Sequence, residues 1–512
     1  MTLGHWAVRW VLGVAIIGAF LHATVAPVAA QSDPPALVAR LARISGIVAV
    51  RDAGEERWRV ARLNLPLPPG DAVSVEAGGQ AVLDIAASRI GLEGGAELRL
   101  DVLGDQAVEA TLARGEIYLR LRDGAAPMRI NTPRGVVQLT GDGRYAIAAG
   151  DGARPTIVTV LEGSARLDIA GAATTLTANQ GASITGNGPF SVATARARSS
   201  AFTVAMMAQD PRVADATPEL VRQMTGVGDL AQYGDWRTEG ELGAVWVPRV
   251  EAGWVPYRQG VWAWVEPWGW TWVDDAPWGF APFHYGRWTE IGPREDRAWA
   301  WVPAPLHAGV GFRPAYAPAL VRFVGMRRTE GQTVAPQRGT MAVLGWTPLA
   351  PGEVYRPGFA TSPEFRRRLN VNYARNTDAP VEAAAPGNLA AATLVPAWAM
   401  IDARPAQRAS TRLPPLPPHV LEPLAAADLP GPSLATLGMT PATAARMGLV
   451  GRGPAREQRL ILPTPLPPLR AAGGGNRPLA GGVAPGPEIA PAYPGLRPVP
   501  GPASATPGLP RR

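Results

Sequence analysis

Apolar and polar residues alternate along much of the segment from residue 36 to residue 190. Leu98, Leu100 and Val102 are separated by charged residues, and a similar alternation recurs at residues 117–122. Successive side chains of a β-strand point to opposite faces of a sheet, so this period of two places the aliphatic residues on one face and the charges on the other. The pattern predicts half-buried β-strands.

Turn signals separate these predicted strands at short intervals. They fall at Pro69-Gly70-Asp71, Gly78-Gly79, Gly94-Gly95, Asp123-Gly124, Gly141-Asp142-Gly143 and Gly150-Asp151-Gly152. Many short strands joined by such turns are typical of all-β folds rather than of α/β folds. We therefore expect a mainly β protein whose first domain, residues 36–190, is a sandwich or a β-solenoid.

Tryptophan is concentrated in one later segment, where it repeats at a fixed spacing. Twelve of the 17 tryptophans lie between Trp236 and Trp301. Gly-x-Trp triplets begin at Gly234, Gly260 and Gly286, which are 26 residues apart. Self-similarity of this period indicates tandem supersecondary units, each long enough for two or three short strands. Residues 233–375 are predicted to form a tryptophan-rich β-hairpin repeat domain.

The repeated tryptophans allow two interpretations, of which we favour the first. Each indole buries on the order of 150–250 Å² and tryptophan favours strands, so the rings can form a core where aliphatic residues are scarce. Alternatively, some rings form an exposed platform for sugar faces, beside carboxylates that accept hydrogen bonds from hydroxyl groups. The residues of this candidate aromatic binding surface are Trp262, Trp264, Trp268, Trp270, Trp272, Trp288, Asp274 and Asp275.

The side chains that usually carry chemistry are scarce. The chain has no cysteine and five histidines, and all 49 of its positive charges are arginine. Thiolate metal sites, lysine Schiff bases and phosphate-loop lysines are therefore excluded. Asp274 and Asp275 lie near His284, but adjacent carboxylates on a strand point to opposite faces. We expect no enzyme activity, no cofactor and no metal site.

The net charge of +7 does not indicate a nucleic-acid partner. The arginines of residues 377–512 are scattered rather than clustered, and the remainder of the chain is close to neutral. A nucleic-acid interface needs a concentrated basic stripe on a folded element. We therefore expect no nucleic-acid binding.

The first 30 residues have the layout of a secretory signal peptide. An apolar run from Val11 to Val28 follows a start that contains a single arginine, and small residues precede a polar segment at Ala30. An uncleaved membrane anchor is the alternative, because about 20 apolar residues can span a bilayer. We expect cleavage near Ala30, a periplasmic or secreted mature protein, and no stable membrane span after cleavage.

Two further segments differ in composition from the predicted domains. Residues 191–232 indicate a short helical linker with an apolar part at residues 202–207. Residues 376–512 are rich in Pro, Ala and Gly, and 27 of the 54 prolines lie in residues 377–512. Since this composition offers little apolar surface to bury, the tail is predicted to be disordered. It would act as a spacer or as a ligand for aromatic grooves.

Ordered sequence landmarks mark the first predicted domain. They are Leu67-Pro68-Pro69-Gly70-Asp71, Gly115-Glu116-Ile117-Tyr118-Leu119, Ile130-Asn131-Thr132-Pro133-Arg134-Gly135, Val160-Leu161-Glu162-Gly163-Ser164-Ala165 and Gln180-Gly181. In this order they resemble the FecR domain. The resemblance implies an extracytoplasmic, non-enzymatic β module of signalling or envelope scaffolding. FecR regulators carry an anti-sigma segment before their membrane helix, whereas only Met1 to Trp10 precedes the apolar run here.

A second set of landmarks runs through the tryptophan-rich segment. It includes Gly228-Asp229-Leu230, Tyr233-Gly234-Asp235-Trp236, Glu266-Pro267-Trp268-Gly269-Trp270-Thr271-Trp272, Phe283-His284-Tyr285-Gly286-Arg287-Trp288, Gly345-Trp346-Thr347-Pro348-Leu349 and Asn370-Val371-Asn372. These residues resemble an uncharacterised tryptophan-rich repeat family that often follows a FecR domain in secreted bacterial proteins. That resemblance implies no particular activity.

These observations lead to one expected function and one alternative. We expect a non-enzymatic exported scaffold or binding protein that contacts an envelope protein or a peptidoglycan-like glycan. The alternative is an extracytoplasmic FecR-type signalling regulator that lacks the anti-sigma segment.

Overall fold

A computed structural model describes residues 33–211, 213–303, 314–326, 343–370, 387–396, 399–400, 403–410 and 421–423. Strands account for 45% of the structure and helices for 12%, which confirms the predicted mainly β class. The expected signal peptide and most of the expected disordered tail lie outside the described residues. None of the helices in the described ranges is long and apolar enough to cross a membrane.

The first part of the chain folds into two nine-stranded sheets, here called the β sandwich. Its strands are β1 (Ala39–Ser45), β2 (Val48–Arg51), β3 (Arg59–Val60), β4 (Pro66–Leu67), β5 (Ala72–Val75), β6 (Gln80–Ile85), β7 (Ser88–Glu93), β8 (Glu97–Leu103), β9 (Val108–Arg114), β10 (Glu116–Leu121), β11 (Met128–Thr132), β12 (Gly135–Leu139), β13 (Gly143–Ala148), β14 (Thr156–Glu162), β15 (Ser164–Ile169), β16 (Ala172–Thr177), β17 (Gln180–Thr185) and β18 (Ser191–Arg196).

The chain alternates between the two sheets, adding one or two consecutive strands to each sheet in turn. One sheet has the order β18-β17-β14-β13-β10-β7-β6-β1-β4 and the other β16-β15-β12-β11-β9-β8-β5-β2-β3. Neighbouring strands are antiparallel except for β9 and β11, which are parallel. Aliphatic residues from both sheets belong to one hydrophobic cluster, as two layers around a shared core require.

The alternation that predicted these strands holds for most of their residues. Leu98 and Leu100 are fully buried and Arg99 is exposed. Val102, which the same alternation placed inside, is 44% exposed. The cause is a register shift between Leu100 and Val102, which turns the following residues to the other face and buries Leu103 instead.

The predicted linker contains the last strand of the sandwich and three short helices. Strand β18 extends the first sheet beyond the predicted domain end at residue 190. The helices are α1 (Ala201–Ala208), α2 (Glu219–Arg222) and α3 (Leu230–Tyr233). Helix α1 is capped by the Ser200 side chain, which accepts a hydrogen bond from the Thr203 amide. Phe202 and Met206 of this helix pack on Tyr118, which buries the outer side of strand β10.

The tryptophan-rich segment forms three antiparallel hairpins, here called the aromatic unit. They are β19 (Gly234–Glu239) with β20 (Gly243–Pro248), β21 (Gly260–Val265) with β22 (Gly269–Asp274), and β23 (Arg287–Ile291) with β24 (Ala298–Val302). A 3₁₀ turn, Gly240–Leu242, joins the first pair, and helix α4 (Ala281–His284) precedes the third. Strands β20 and β24 also pair, giving a four-stranded sheet of order β19-β20-β24-β23.

Short pieces of the predicted tail are folded, which corrects part of that prediction. Strands β25 (Val321–Met326) and β26 (Val343–Pro348) pair with β27 (Thr393–Pro396) and β28 (Leu421–Pro423) in the order β27-β26-β25-β28. Helices α5 (Pro363–Asn370) and α6 (Ala406–Ser410) and the 3₁₀ turn Leu389–Ala391 complete the described elements. The prediction missed β27 because the average composition of the tail hides a short apolar run whose Val395 is 1% exposed.

Candidate functional site

Each hairpin of the aromatic unit places two tryptophans directly opposite each other. Cross-strand neighbours of an antiparallel pair have their side chains on the same face and in contact. The opposing pairs are Trp236 with Trp246, Trp262 with Trp272, and Trp288 with Trp301. One copy of the 26-residue spacing therefore corresponds to one hairpin with at least one tryptophan pair, and the middle hairpin has a second pair, Trp264 with Trp270.

The repeated glycine of each hairpin makes room for an indole. A Cβ atom added at any of these glycines would lie 2.6 Å or less from a tryptophan ring, closer than real Cβ contacts. The glycine and ring pairs are Gly234 with Trp246, Gly260 with Trp272, and Gly286 with Trp301. The Gly-x-Trp spacing is thus a packing requirement of the hairpin.

The six tryptophans of the candidate binding surface lie in the core. Their exposed fractions are Trp262 2%, Trp264 6%, Trp268 1%, Trp270 6%, Trp272 0% and Trp288 1%. Edge-to-face packing holds them, for example Trp264 on Trp270 with ring centroids 5.5 Å apart. These rings form a packed core rather than an exposed platform, because the hairpins, β25 and β26 cover each other's aromatic faces.

Several indole N–H groups are hydrogen-bonded inside the unit. Trp246 donates to the Leu230 carbonyl at 3.2 Å, and Trp301 donates to the Tyr285 carbonyl at 2.7 Å. In other tryptophans of the described ranges the buried indole nitrogen has no protein partner, namely Trp236, Trp262, Trp268 and Trp278. These four indoles are held in the aromatic unit by ring packing rather than by hydrogen bonds of their N–H groups.

Asp274 is buried where β22 ends. Its side chain accepts hydrogen bonds from Trp272 Nε1 and from the Ala276 amide, each at 3.0 Å. Burial raises the pKa of Asp274 well above its ordinary value, although these two donors oppose the shift. Gly279 packs against it so closely that a Cβ there would lie 2.5 Å from Asp274 Oδ1. Asp274 therefore closes a turn and does not face solvent.

Asp275 points away from Asp274, as predicted for adjacent carboxylates. Its side chain is 42% exposed and pairs with Arg62 of the β sandwich. Beside it, the Asn64 side-chain amide donates to the Asp274 carbonyl at 2.9 Å and to the Ala276 carbonyl at 2.7 Å. The two candidate carboxylates thus lie at the contact between the aromatic unit and the sandwich.

His284 is a packed ring. It is fully buried between Phe280 and Tyr316, with ring centroids 4.5 and 4.8 Å away. Its Nδ1 lies 2.8 Å from the Ala317 carbonyl, so Nδ1 carries the proton and donates it. Burial lowers the pKa of His284 to about 3, which keeps the ring neutral. No group of three His, Asp or Glu side chains in the described ranges could hold a metal ion.

A buried arginine network joins the two parts of the chain, and sequence reasoning missed it. Arg40 of β1 is fully buried and donates to Asp229 Oδ2 at 2.7 Å, to the Gly226 carbonyl at 3.0 Å and to the Pro277 carbonyl at 2.8 Å. The available signal was weak: one arginine interrupts the apolar run 36–42. Such an arginine is costly to bury unless carboxylates and hydrogen bonds compensate it; Arg40 Nε makes no hydrogen bond but lies 3.9 Å from Asp84 Oδ2.

A second arginine shares the carboxylates of this network. Arg89 binds both oxygens of Asp84, at 2.7 and 3.1 Å, and reaches Asp229 Oδ1 at 3.2 Å. Burial alone would raise the pKa of Asp84, but Arg89 and Arg40 outweigh it and hold that pKa below its ordinary value. Sandwich and aromatic residues also belong to the same hydrophobic cluster. The two parts are thus joined by a continuous core as well as by buried ion pairs.

The similarities to known proteins are limited to parts of the chain. Residues 227–353, which include the aromatic unit, match DUF6600, a family of unknown function. Two crystal structures of a proposed anti-sigma factor from Parabacteroides distasonis are similar at 19% and 18% identity, each with a TM-score of 0.23. They cover 29% and 30% of this chain and 68% and 74% of the other. No curated protein matches the chain.

Proposed function

We propose that the protein is a non-enzymatic scaffold or binding protein that acts outside the cytoplasm, in contact with a protein of the cell envelope. The signal-peptide layout of residues 1–30 supports the location. The extensive buried junction supports the scaffold role, because it makes the sandwich and the aromatic unit a stiff frame. Stiff frames suit a protein that positions others.

The observation that carries this proposal is the internal position of Asp274 and His284, the two candidate groups with strongly shifted pKa values. Asp274 and His284 are 3% and 0% exposed, and their bonds go to an indole, an amide and a backbone carbonyl. General acid–base catalysis needs a group that can reach the substrate proton. Their shifts follow from burial in the core, so they support a structural role for both groups.

A protein partner fits the exposed surface better than a glycan does. The six candidate indoles are buried and cannot stack on a sugar ring. The exposed large aliphatic residues lie instead on the sandwich and on α1, at Ile47, Val102, Ile157, Val192 and Val204. Single exposed aliphatic residues are normal on any protein surface, so the burial of the indoles is the observation that favours a protein partner over a glycan.

Two measurements test the proposal. N-terminal sequencing of the protein from the extracytoplasmic fraction should give a start near Gln31, and an unprocessed cytoplasmic protein would overturn the location. A retained N-terminus in the membrane fraction would favour the signalling regulator.

Photo-crosslinking from Val102 and Ile157 should yield protein adducts, and the protein should not sediment with purified sacculi. Sedimentation with sacculi would overturn the proposed protein partner. Turnover of a cell-wall substrate would overturn the proposed absence of catalysis.

A further inference from the structure

The two ends of the β sandwich are built differently. At one end the outermost strands, β3 and β4, have two residues each, and the aromatic unit approaches them through Arg62 and Asn64. At the other end the outermost strands, β16 and β18, have six residues each. Among the described residues, β18 is paired on one side only, with β17. Within the described part of the chain, one end of the sandwich is covered and the other presents open strand edges.

An open edge is a template for another strand, and proteins usually protect it with charges, proline or a bulge. The edge strand β19 shows such protection in this chain, since it carries Asp235, Arg237 and Glu239. Strand β18 has the sequence SVATAR, with a single charge at its last residue and no proline. Its pairing with β17 runs through all six residues without a register shift. The edge is therefore regular and nearly uncharged.

The side chains of β18 favour this strand over β16 as a docking edge. All six residues of β18 are exposed, and Val192 is 39% exposed although it lies opposite the buried Ile184 on the inner face. In β16 the corresponding aliphatic residue, Leu176, is already 1% exposed. A strand added to β18 would bury the exposed aliphatic side chain of Val192 and continue the core. A strand added to β16 would bury less new aliphatic surface, because Leu176 is already covered.

We propose that β18 pairs antiparallel with β18 of a second copy of this chain, which joins two nine-stranded sheets across a two-fold axis. This goes beyond the proposed function and does not depend on it. Directly opposed residues of antiparallel strands lie on the same face, so the axis must pass midway between the two copies of one residue. An axis at Ala193 sets Val192 against Thr194 of the second copy and keeps the two Arg196 side chains apart. The strand can thus pair with itself without opposing like charges, as a two-fold interface requires.

Charge pairs at the axis give a direct test with the full mature protein. Ala193 is exposed, so Ala193→Lys and Ala193→Glu should leave the monomer folded. In a two-fold pair each substitution sets like charges against each other, which destabilises the dimer. Sedimentation-velocity measurements over a range of concentrations should show a wild-type dimer. Either variant alone should raise the dimer dissociation constant about tenfold or more.

Mixing the two variants provides the decisive comparison, because it places opposite charges at the axis. Lysine opposite glutamate should restore a dimer that contains one copy of each variant. The matched control is Ala173→Lys on the other open edge, β16, which should dimerise like the wild type. A wild-type protein that stays monomeric at every concentration would overturn the proposal. So would a dimer that neither Ala193 variant weakens, because its interface would lie elsewhere.

Discussion

Replacing Arg40 by methionine tests whether the buried arginine network joins the sandwich to the aromatic unit. Methionine keeps most of the aliphatic volume of the arginine stem but removes its donors. The Asp229 carboxylate loses a 2.7 Å bond, and the carbonyls of Gly226 and Pro277 lose bonds of 3.0 and 2.8 Å. All three acceptors would then lack the guanidinium that pairs with them in the junction.

The expected loss follows from the burial of these groups. Breaking a buried ion pair by removing one partner costs about 3–5 kcal/mol, because the other charge stays buried. Arg89 still pairs with both Asp84 and Asp229, although one positive charge then faces two carboxylates, so the loss should be at least about 3 kcal/mol, the lower end of that range. The exposed pair of Arg154 with Asp151 offers a matched control: Arg154→Met should leave stability nearly unchanged, because solvent screens this pair.

Urea unfolding, monitored by tryptophan fluorescence, measures how the substitution at Arg40 affects the stability of the aromatic unit. Twelve of the 17 tryptophans lie in the region 236–301, so the signal comes mainly from the aromatic unit, whereas Arg40 lies in the sandwich. A junction role predicts that Arg40→Met shifts this transition by the expected amount, and that a double-mutant cycle with Asp229→Asn shows coupling. If the fluorescence transition of Arg40→Met matched that of Arg154→Met, the reasoning would be refuted.

Three further predictions concern the aromatic unit. Trp262→Ala should lower the free energy of unfolding by about 3–5 kcal/mol because the ring is core; the half-buried Trp58 is the control, and an equal effect of Trp58→Ala would contradict this. Gly279→Ala should lower it by about 1–3 kcal/mol, since the new methyl group meets Asp274; Gly152→Ala, with open space around it, should be neutral in the same thermal melts. Because the pKa of His284 is about 3 when folded and near 6.5 when unfolded, the unfolded state binds the proton first as pH falls. The contribution of His284 to stability should therefore decline as the pH falls from 6.5 to 3, opposite in sign to that of Asp274, whose pKa is raised. Over this range the slope of stability against pH should be lower in His284→Gln than in the wild type by up to about 1.4 kcal/mol per pH unit, and parallel wild-type and variant curves would exclude this linkage.

The local pattern of residues was sufficient to predict much of the secondary structure. The alternation at Leu98 and Leu100 and at residues 117–122 marked real strands, and the 26-residue spacing marked the three hairpins. Both follow from contacts between near neighbours, since a side chain's face depends on its position along its own strand. Where a bulge intervened, at Val102, that local rule gave the wrong face.

The candidate site depended on information that no local pattern contains. Exposed and packed tryptophans have the same spacing on a strand, so only the packing of hairpins on β25 and β26 decided that Trp262 and Trp272 are internal. The same holds for Asp274, whose environment includes Asn64, and for Arg40, whose partner Asp229 is 189 residues away.

The sequence by itself thus determined the β class, the hairpin repeat and the scarcity of catalytic side chains. Tertiary structure alone decided which aromatic faces are covered, which carboxylates are buried, and which strand edges stay open. The physical reason is that strand and turn formation depend on neighbours along the chain, whereas burial and ion pairing depend on groups that meet only after the sheets have packed.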